Sequence, residues 1–111
     1  MGETTRLAAR HCKPLAAGTP ALDARAAADF LAQLDGWRIE GGELRREFKF
    51  PDHHHAIAFV NAVAWISHRQ DHHPDLEVGY NRVVVRYSTH SVGGLSENDF
   101  ICAARVDALL S

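Results

Sequence analysis

Residues 43–71, ELRREFKFPDHHHAIAFVNAVAWISHRQD, change their hydrophobic period once, and that change decides the fold. Before Pro51, Leu44, Phe48 and Phe50 alternate with Arg45, Glu47 and Lys49, the pattern of a strand with one buried and one wet face. Pro51-Asp52 then opens a helix whose core stripe is Ala56, Phe59, Val60, Val63 and Ile66. Trp65 falls nearly opposite Ala56 on this helix, with Ala58 and Ala62 beside it. A monomer core gives that second apolar face no use, so it predicts a helix–helix contact between subunits. The helix must stop by Asp71 or His72, because Pro74 disfavours helical geometry at His73.

The same switching of period extends in both directions. Upstream, Asp23 is an acceptable N-cap for a first helix carrying Ala27, Phe30, Leu31 and Leu34, ended by Asp35-Gly36. WRIE at 37–40 and the strand from Glu43 form a hairpin around Gly41-Gly42. Downstream, LEVGY and RVVVRYSTH read as two strands joined near Asn81. Val83, Val85 and Tyr87 share one face; Arg82, Arg86, Ser88 and His90 share the other if the pleat holds to its end. Ser96-Glu97-Asn98-Asp99 is a capping-box pattern opening a last helix, with Cys102, Ala103, Val106, Leu109 and Leu110 inward. Four short strands joined mainly by hairpins predict an α+β domain, a four-stranded antiparallel sheet with three helices packed on one face. Residues 1–21 have no sustained period and read as a flexible N-terminal arm, leaving 22–111 as a single domain.

Composition narrows the function classes. A net charge of −2 over 111 residues argues against direct nucleic-acid binding. No apolar run approaches the roughly 18 residues of a membrane span. The start MGETTRLAARHCKP lacks the apolar core of a secretory signal, so a reducing cytoplasm is the expected compartment. Cys12 and Cys102 match no zinc or redox spacing; Cys102 reads as a small buried residue and Cys12 as part of the arm.

Six of the eight histidines fall between His53 and His73. Zinc is one reading, since His68 and His72 are four apart, but no HExxH glutamate or cysteine pair accompanies them and Pro74 frays that helix end. No metal is therefore expected. His53-His54-His55 point in different directions from a helix start and read as a solvated end. Proton transfer suits His72-His73 better, because imidazole titrates near neutrality and mutual repulsion would split the pair into an acid and a base. A plain loop surface is the remaining alternative.

Residues 68–99 then join these pieces. His68, His72, His73, Pro74, Tyr80, His90 and Asp99 fill in order the places of the pterin-4a-carbinolamine dehydratase signature, which the sequence resembles. Gly36-Trp37 and the FKFPDHHHAIAFVNAVA stretch extend the likeness over about residues 22–110. The resemblance implies a dimer of dimers built largely on the middle helix. It also implies removal of water from a 4a-hydroxytetrahydropterin to give the quinonoid dihydropterin, recycling the cofactor of aromatic amino-acid hydroxylases, without a cofactor of its own. By resemblance His72 and His90 are general acids, and His73 chiefly binds the pterin and assists as base. A helix exit and a strand end can set His72 and His90 on opposite sides of a flat ring. Pro74, Thr89, Ser91 and Val92 would line the pocket with them, supported by Asp71 and Asp99. Read alone, Asp99 is explained by capping and Asp71 either by solvation or by orienting an imidazole, while Arg82 and Arg86 are ordinary strand arginines or a lure for an anionic pterin side chain. Relatives of the family imply a second class of reading, a non-catalytic transcription-factor dimerisation cofactor or carboxylase assembly chaperone.

Overall fold

A computed structural model describes residues 6–111. Helix α1 is Ala24–Leu31, β1 is Arg38–Glu40, β2 is Glu43–Lys49, α2 is His53–Gln70, β3 is Asp75–Val78, β4 is Arg82–Tyr87 and α3 is Glu97–Ala108. The strands form one antiparallel sheet in the order β1-β2-β4-β3. Two hairpins account for the outer pairs, as expected. The central pair β2–β4 is different, because the chain leaves β2 through α2, runs up the edge as β3 and only then returns as β4. Strands β2 and β3 are thus parallel to each other across β4, and α2 supplies the crossover such a pair requires.

Local chemistry fixes these elements. The β1–β2 turn holds Gly41 and Gly42 at φ of 61° and 78°, a pair of left-handed positions that a two-residue hairpin favours and that glycine tolerates. Asp23 and Asp52 cap α1 and α2 by accepting from Ala26 and His55 N–H groups, each at 2.8–2.9 Å. On the inner face Leu44 pairs with Tyr87 and Phe48 with Val83, and all four are buried with Val85 under Ala56, Phe59 and Val63 of α2 and Phe100 of α3. Arg46 shares that face at its margin and reaches α3, donating to Asp107 at 3.0 Å while Trp37 Nε1 donates to the same carboxylate at 2.9 Å. On the outer face Arg82 and Arg86 both donate to Glu77, so they brace the β3–β4 pair.

Three expectations need correction. Residues 6–14 are not loose: Leu7 is buried against the core, Arg10 pairs with Glu97 at 2.7 Å, and Cys12 and Lys13 bond to Gln70 and Asn98. The part of the arm before residue 6 lies outside the described residues. The pleat of β4 does not reach His90, because Thr89 turns inward to bridge Gly94 and a short 3-10 turn, His90–Val92, follows. Finally, α3 ends at Ala108, which leaves Leu109 and Leu110 exposed.

Candidate active site

The end of α2 aims the site. Asp71 adopts φ 51° and ψ 44°, the left-handed conformation that closes a helix, and the His72 N–H reaches back to the Ser67 carbonyl at 3.2 Å. Aspartate tolerates this conformation better than most residues. The reversal swings His72 off the helix axis and toward α3. There its Nε2 meets Asp99 Oδ1 at 2.6 Å, with the imidazole only 12% exposed and the carboxylate fully buried. The ring also lies flat on Tyr87, centroids 5.8 Å apart and planes within 9°.

Asp99 serves several partners at once. Its Oδ2 accepts from the Ser96 N–H and from Thr89 Oγ1, each at 2.8 Å, and Ser96 Oγ stands 2.7 Å from Thr89 Oγ1. The capping box foreseen at Ser96–Asp99 is present. A single carboxylate therefore caps α3, grips His72 and holds Thr89, the residue that leads into the His90 turn. Gly93, at φ 71°, closes that turn with its N–H on the His90 carbonyl.

Electrostatics follow from this placement. Burial is the largest influence on His72 and disfavours its charged form. The hydrogen bond and negative charge of Asp99, helped by Cys12 and Asp71, outweigh it and hold the imidazole above its usual pKa. With Nε2 committed to a carboxylate, Nδ1 is the nitrogen left for other chemistry. Burial pushes the Tyr87 phenol well above its ordinary range. The Ser67 hydroxyl eases this only partly, and Tyr87 Oη has no partner of good hydrogen-bond geometry among the described residues.

A cleft of about 350 Å³ opens beside His72 and is walled by Thr89, Ser91, Asp71, Arg69 and the Cys12–Leu15 segment. Of the residues singled out in the sequence, the structure thus gathers Asp71, His72, Thr89 and Ser91 around one opening, with Asp99 behind it. His73, Pro74, His90 and Val92 are not part of this wall; His73 and His90 are exposed and Pro74 and Val92 half-buried. Asp71 is exposed and touches the site through its backbone turn and its charge. His68 leans on Trp65, ring centroids 5.6 Å apart, and does not join His72. Among the described residues no three His, Cys, Asp or Glu side chains gather as a metal site. Sequence reasoning missed Cys12, Gln70 and Asn98, because nothing local announces partners 58 and 85 residues apart. Tyr87 was placed on the inner face, which was the one available hint of its stacking role.

A carboxylate-held imidazole thus stands at the rim of a cleft in a small α+β sheet domain. The comparisons with known proteins give that domain its family. The family model described as pterin 4 alpha carbinolamine dehydratase matches residues 20–109, and the chain belongs to this family. A Nitrosospira multiformis protein provisionally named pterin-4-alpha-carbinolamine dehydratase is 54% identical over 103 residues, 93% of this chain and 91% of that one. A Xanthomonas oryzae protein of the same provisional name is 56% identical, covering 89% and 86%. Among solved structures, a Brucella melitensis transcriptional coactivator/pterin dehydratase superposes with TM-score 0.78 at 34% identity, over 82% of this chain and 99% of that one. A pterin dehydratase-like protein identified as a RuBisCO assembly factor in the alpha-carboxysome gives TM-score 0.58 at 31% identity, over 67% and 88%.

Proposed function

We propose that the protein is a hydro-lyase that removes water from a 4a-hydroxytetrahydropterin and returns quinonoid dihydropterin to the cycle of an aromatic amino-acid hydroxylase in the cytoplasm. The observation that carries this reading is the buried 2.6 Å pair of His72 and Asp99 beside an open cleft. Dehydration needs a proton placed on the 4a-hydroxyl, cleavage of the C4a–O bond, and loss of the N5 proton as the C4a=N5 double bond forms. An imidazolium whose pKa is held up by a buried carboxylate is suited to the first step, and Nδ1 of His72 is the free donor. The family resemblance, not the wall of the His72 cleft, supports the other roles: His90 as a second acid from the far side of the ring, His73 as pterin binder and base, and the Thr89–Val92 turn with Pro74 as the frame of the ring. General acid–base catalysis of this kind contributes about 10²–10⁴-fold in rate.

Four chains assemble as a dimer of dimers through α2. Trp65 supports this part of the proposal, since it stands 60% exposed on the face of α2 away from the core. Trp65→Asp should shift sedimentation from tetramer toward dimer while the far-ultraviolet spectrum stays that of the folded sheet; an unchanged mass would place the contact elsewhere.

The weaker likeness to the alpha-carboxysome assembly factor supports a second reading, a non-catalytic assembly chaperone, and the likeness to the transcriptional coactivator/pterin dehydratase supports its variant, a transcription-factor dimerisation cofactor. That reading gives no reason for a buried charged pair facing a cleft. The deciding experiment is turnover of a 4a-hydroxytetrahydropterin made in situ by a hydroxylase. Quinonoid dihydropterin should form faster with the purified protein than by spontaneous dehydration, and an unaltered rate would favour the binding role.

A further inference from the structure

The two cysteines are 90 residues apart in sequence, yet their sulfurs stand 3.5 Å from each other. Both are free thiols. A disulfide bond is about 2.05 Å long, so the two sulfurs need to close by only about 1.5 Å to bond. The approach is built by the fold. The Cys12 N–H donates to Gln70 Oε1 at 2.7 Å, and the next residue, Lys13, exchanges hydrogen bonds with the Asn98 side chain at 3.0 and 2.8 Å. Asn98 and Cys102 are one turn apart on α3, so the bonds that seat Lys13 also deliver Cys12 onto Cys102.

The two sulfurs are unlike in access. Cys12 is half-buried and forms part of the cleft wall, where a small solute can reach it. Cys102 is fully buried on the core side of α3. Their acidities differ in the same sense. The hydrogen bond with Cys102 is the main influence holding the Cys12 thiol below its ordinary pKa, against burial and with help from His72 and Arg105. The same contact, together with burial, pushes the Cys102 thiol up. An accessible cysteine whose pKa is lowered, in contact with a buried thiol, is the arrangement of a cysteine with its resolving partner.

We propose that Cys12 and Cys102 form an intrachain disulfide on exposure to peroxide, with Cys12 oxidised first and Cys102 resolving it. In the first step the Cys12 sulfur attacks one peroxide oxygen and the O–O bond breaks. The departing oxygen takes the thiol proton and leaves as water, and Cys12 becomes a sulfenic acid. The Cys102 sulfur then attacks Cys12, the S–O bond breaks, and the hydroxide leaves as a second water with the Cys102 proton. Two thiols lose two electrons to one peroxide, and a reducing thiol reverses the bond. The product fastens the Cys12–Leu15 wall of the cleft covalently to α3. This modification does not depend on which substrate the cleft takes.

The test uses the full chain, reduced, freed of reductant, treated with hydrogen peroxide, denatured in an alkylating agent and analysed by mass spectrometry. Both alkylatable thiols should disappear together, the chain should lose the mass of two hydrogens and stay a monomer on a non-reducing gel, and dithiothreitol should restore both thiols. A Cys102→Ser variant should instead retain oxygen on Cys12 or trap a sulfenic-acid reagent there. Wild-type thiols that remain alkylatable after this treatment would overturn the proposal. So would oxygen accumulating on Cys12 in the wild type, or a Cys12 link between two chains.

Discussion

Two aspartate–histidine pairs flank α2 with nearly the same hydrogen bond and opposite surroundings. At its start Asp52 Oδ1 and His55 Nδ1 are 2.7 Å apart; beyond its end Asp99 Oδ1 and His72 Nε2 are 2.6 Å apart. The first pair is 46% and 58% exposed, the second 0% and 12%. Water competes for every charge in the first pair, so it is worth no more than an ordinary surface contact. In the second pair neither partner can return to water without unpicking α3, the Thr89 bridge and the stacking on Tyr87. Neither the number of histidines nor the presence of a carboxylate separates the two ends. Burial does, and burial also turns the second pair toward an open cleft.

Substitutions at the two ends of α2 should separate the two pairs. The largest effect is expected on turnover: His72→Ala should lower kcat on a 4a-hydroxytetrahydropterin by about 10²–10⁴-fold. The loss should be greater for one 4a stereoisomer, and His90→Ala should show the opposite preference; equal losses on both isomers would rule out a two-faced site. On stability, Asp99→Ala should cost about 3–5 kcal/mol in urea unfolding, since it leaves a buried imidazole, the Thr89 hydroxyl and the Ser96 N–H without their acceptor. At the exposed end, Asp52→Ala should cost far less than Asp99→Ala, all of it from the lost cap. His54→Ala should stay within about 0.5 kcal/mol and leave turnover unchanged. If Asp52→Ala destabilises as much as Asp99→Ala, burial is not what distinguishes the pairs.

Much of the fold was legible because it depends on local periods. The switch at Pro51-Asp52, the glycine pair at 41–42 and the capping box at Ser96–Asp99 each state an element boundary in adjacent residues. The site was legible only in part. His72 and Asp99 were named, but Asp99 looked sufficiently explained by its cap. Its second oxygen and its grip on His72 come from a packing of α3 against the α2 exit that no spacing encodes. The N-terminal segment was misread for a related reason. It seats one apolar side chain, Leu7, and otherwise docks through polar bonds to Gln70, Asn98 and Glu97, which leave no hydrophobic period to detect. The partners of Thr89 were hidden likewise, since Gly94 and Asp99 lie beyond the strand it ends.

If Asp99 keeps His72 protonated as the acid of the reaction, the pH profile of kcat should differ between the wild type and Asp99→Asn. Asparagine can still accept the Ser96 N–H, so the cap survives while the charge is lost. In the wild type the folded pKa of His72 lies above the unfolded value of about 6.5. The ion pair's contribution to stability is therefore fully present below about pH 6.5 and fades as pH rises through the raised folded pKa. Turnover should follow the same protonation, falling as pH rises through that value because the acid form of His72 is lost. Without the Asp99 charge, burial is left to depress the imidazole, so the midpoint of that fall should move to lower pH in Asp99→Asn, with kcat at neutral pH reduced accordingly. A profile whose midpoint is the same in both proteins would contradict the account.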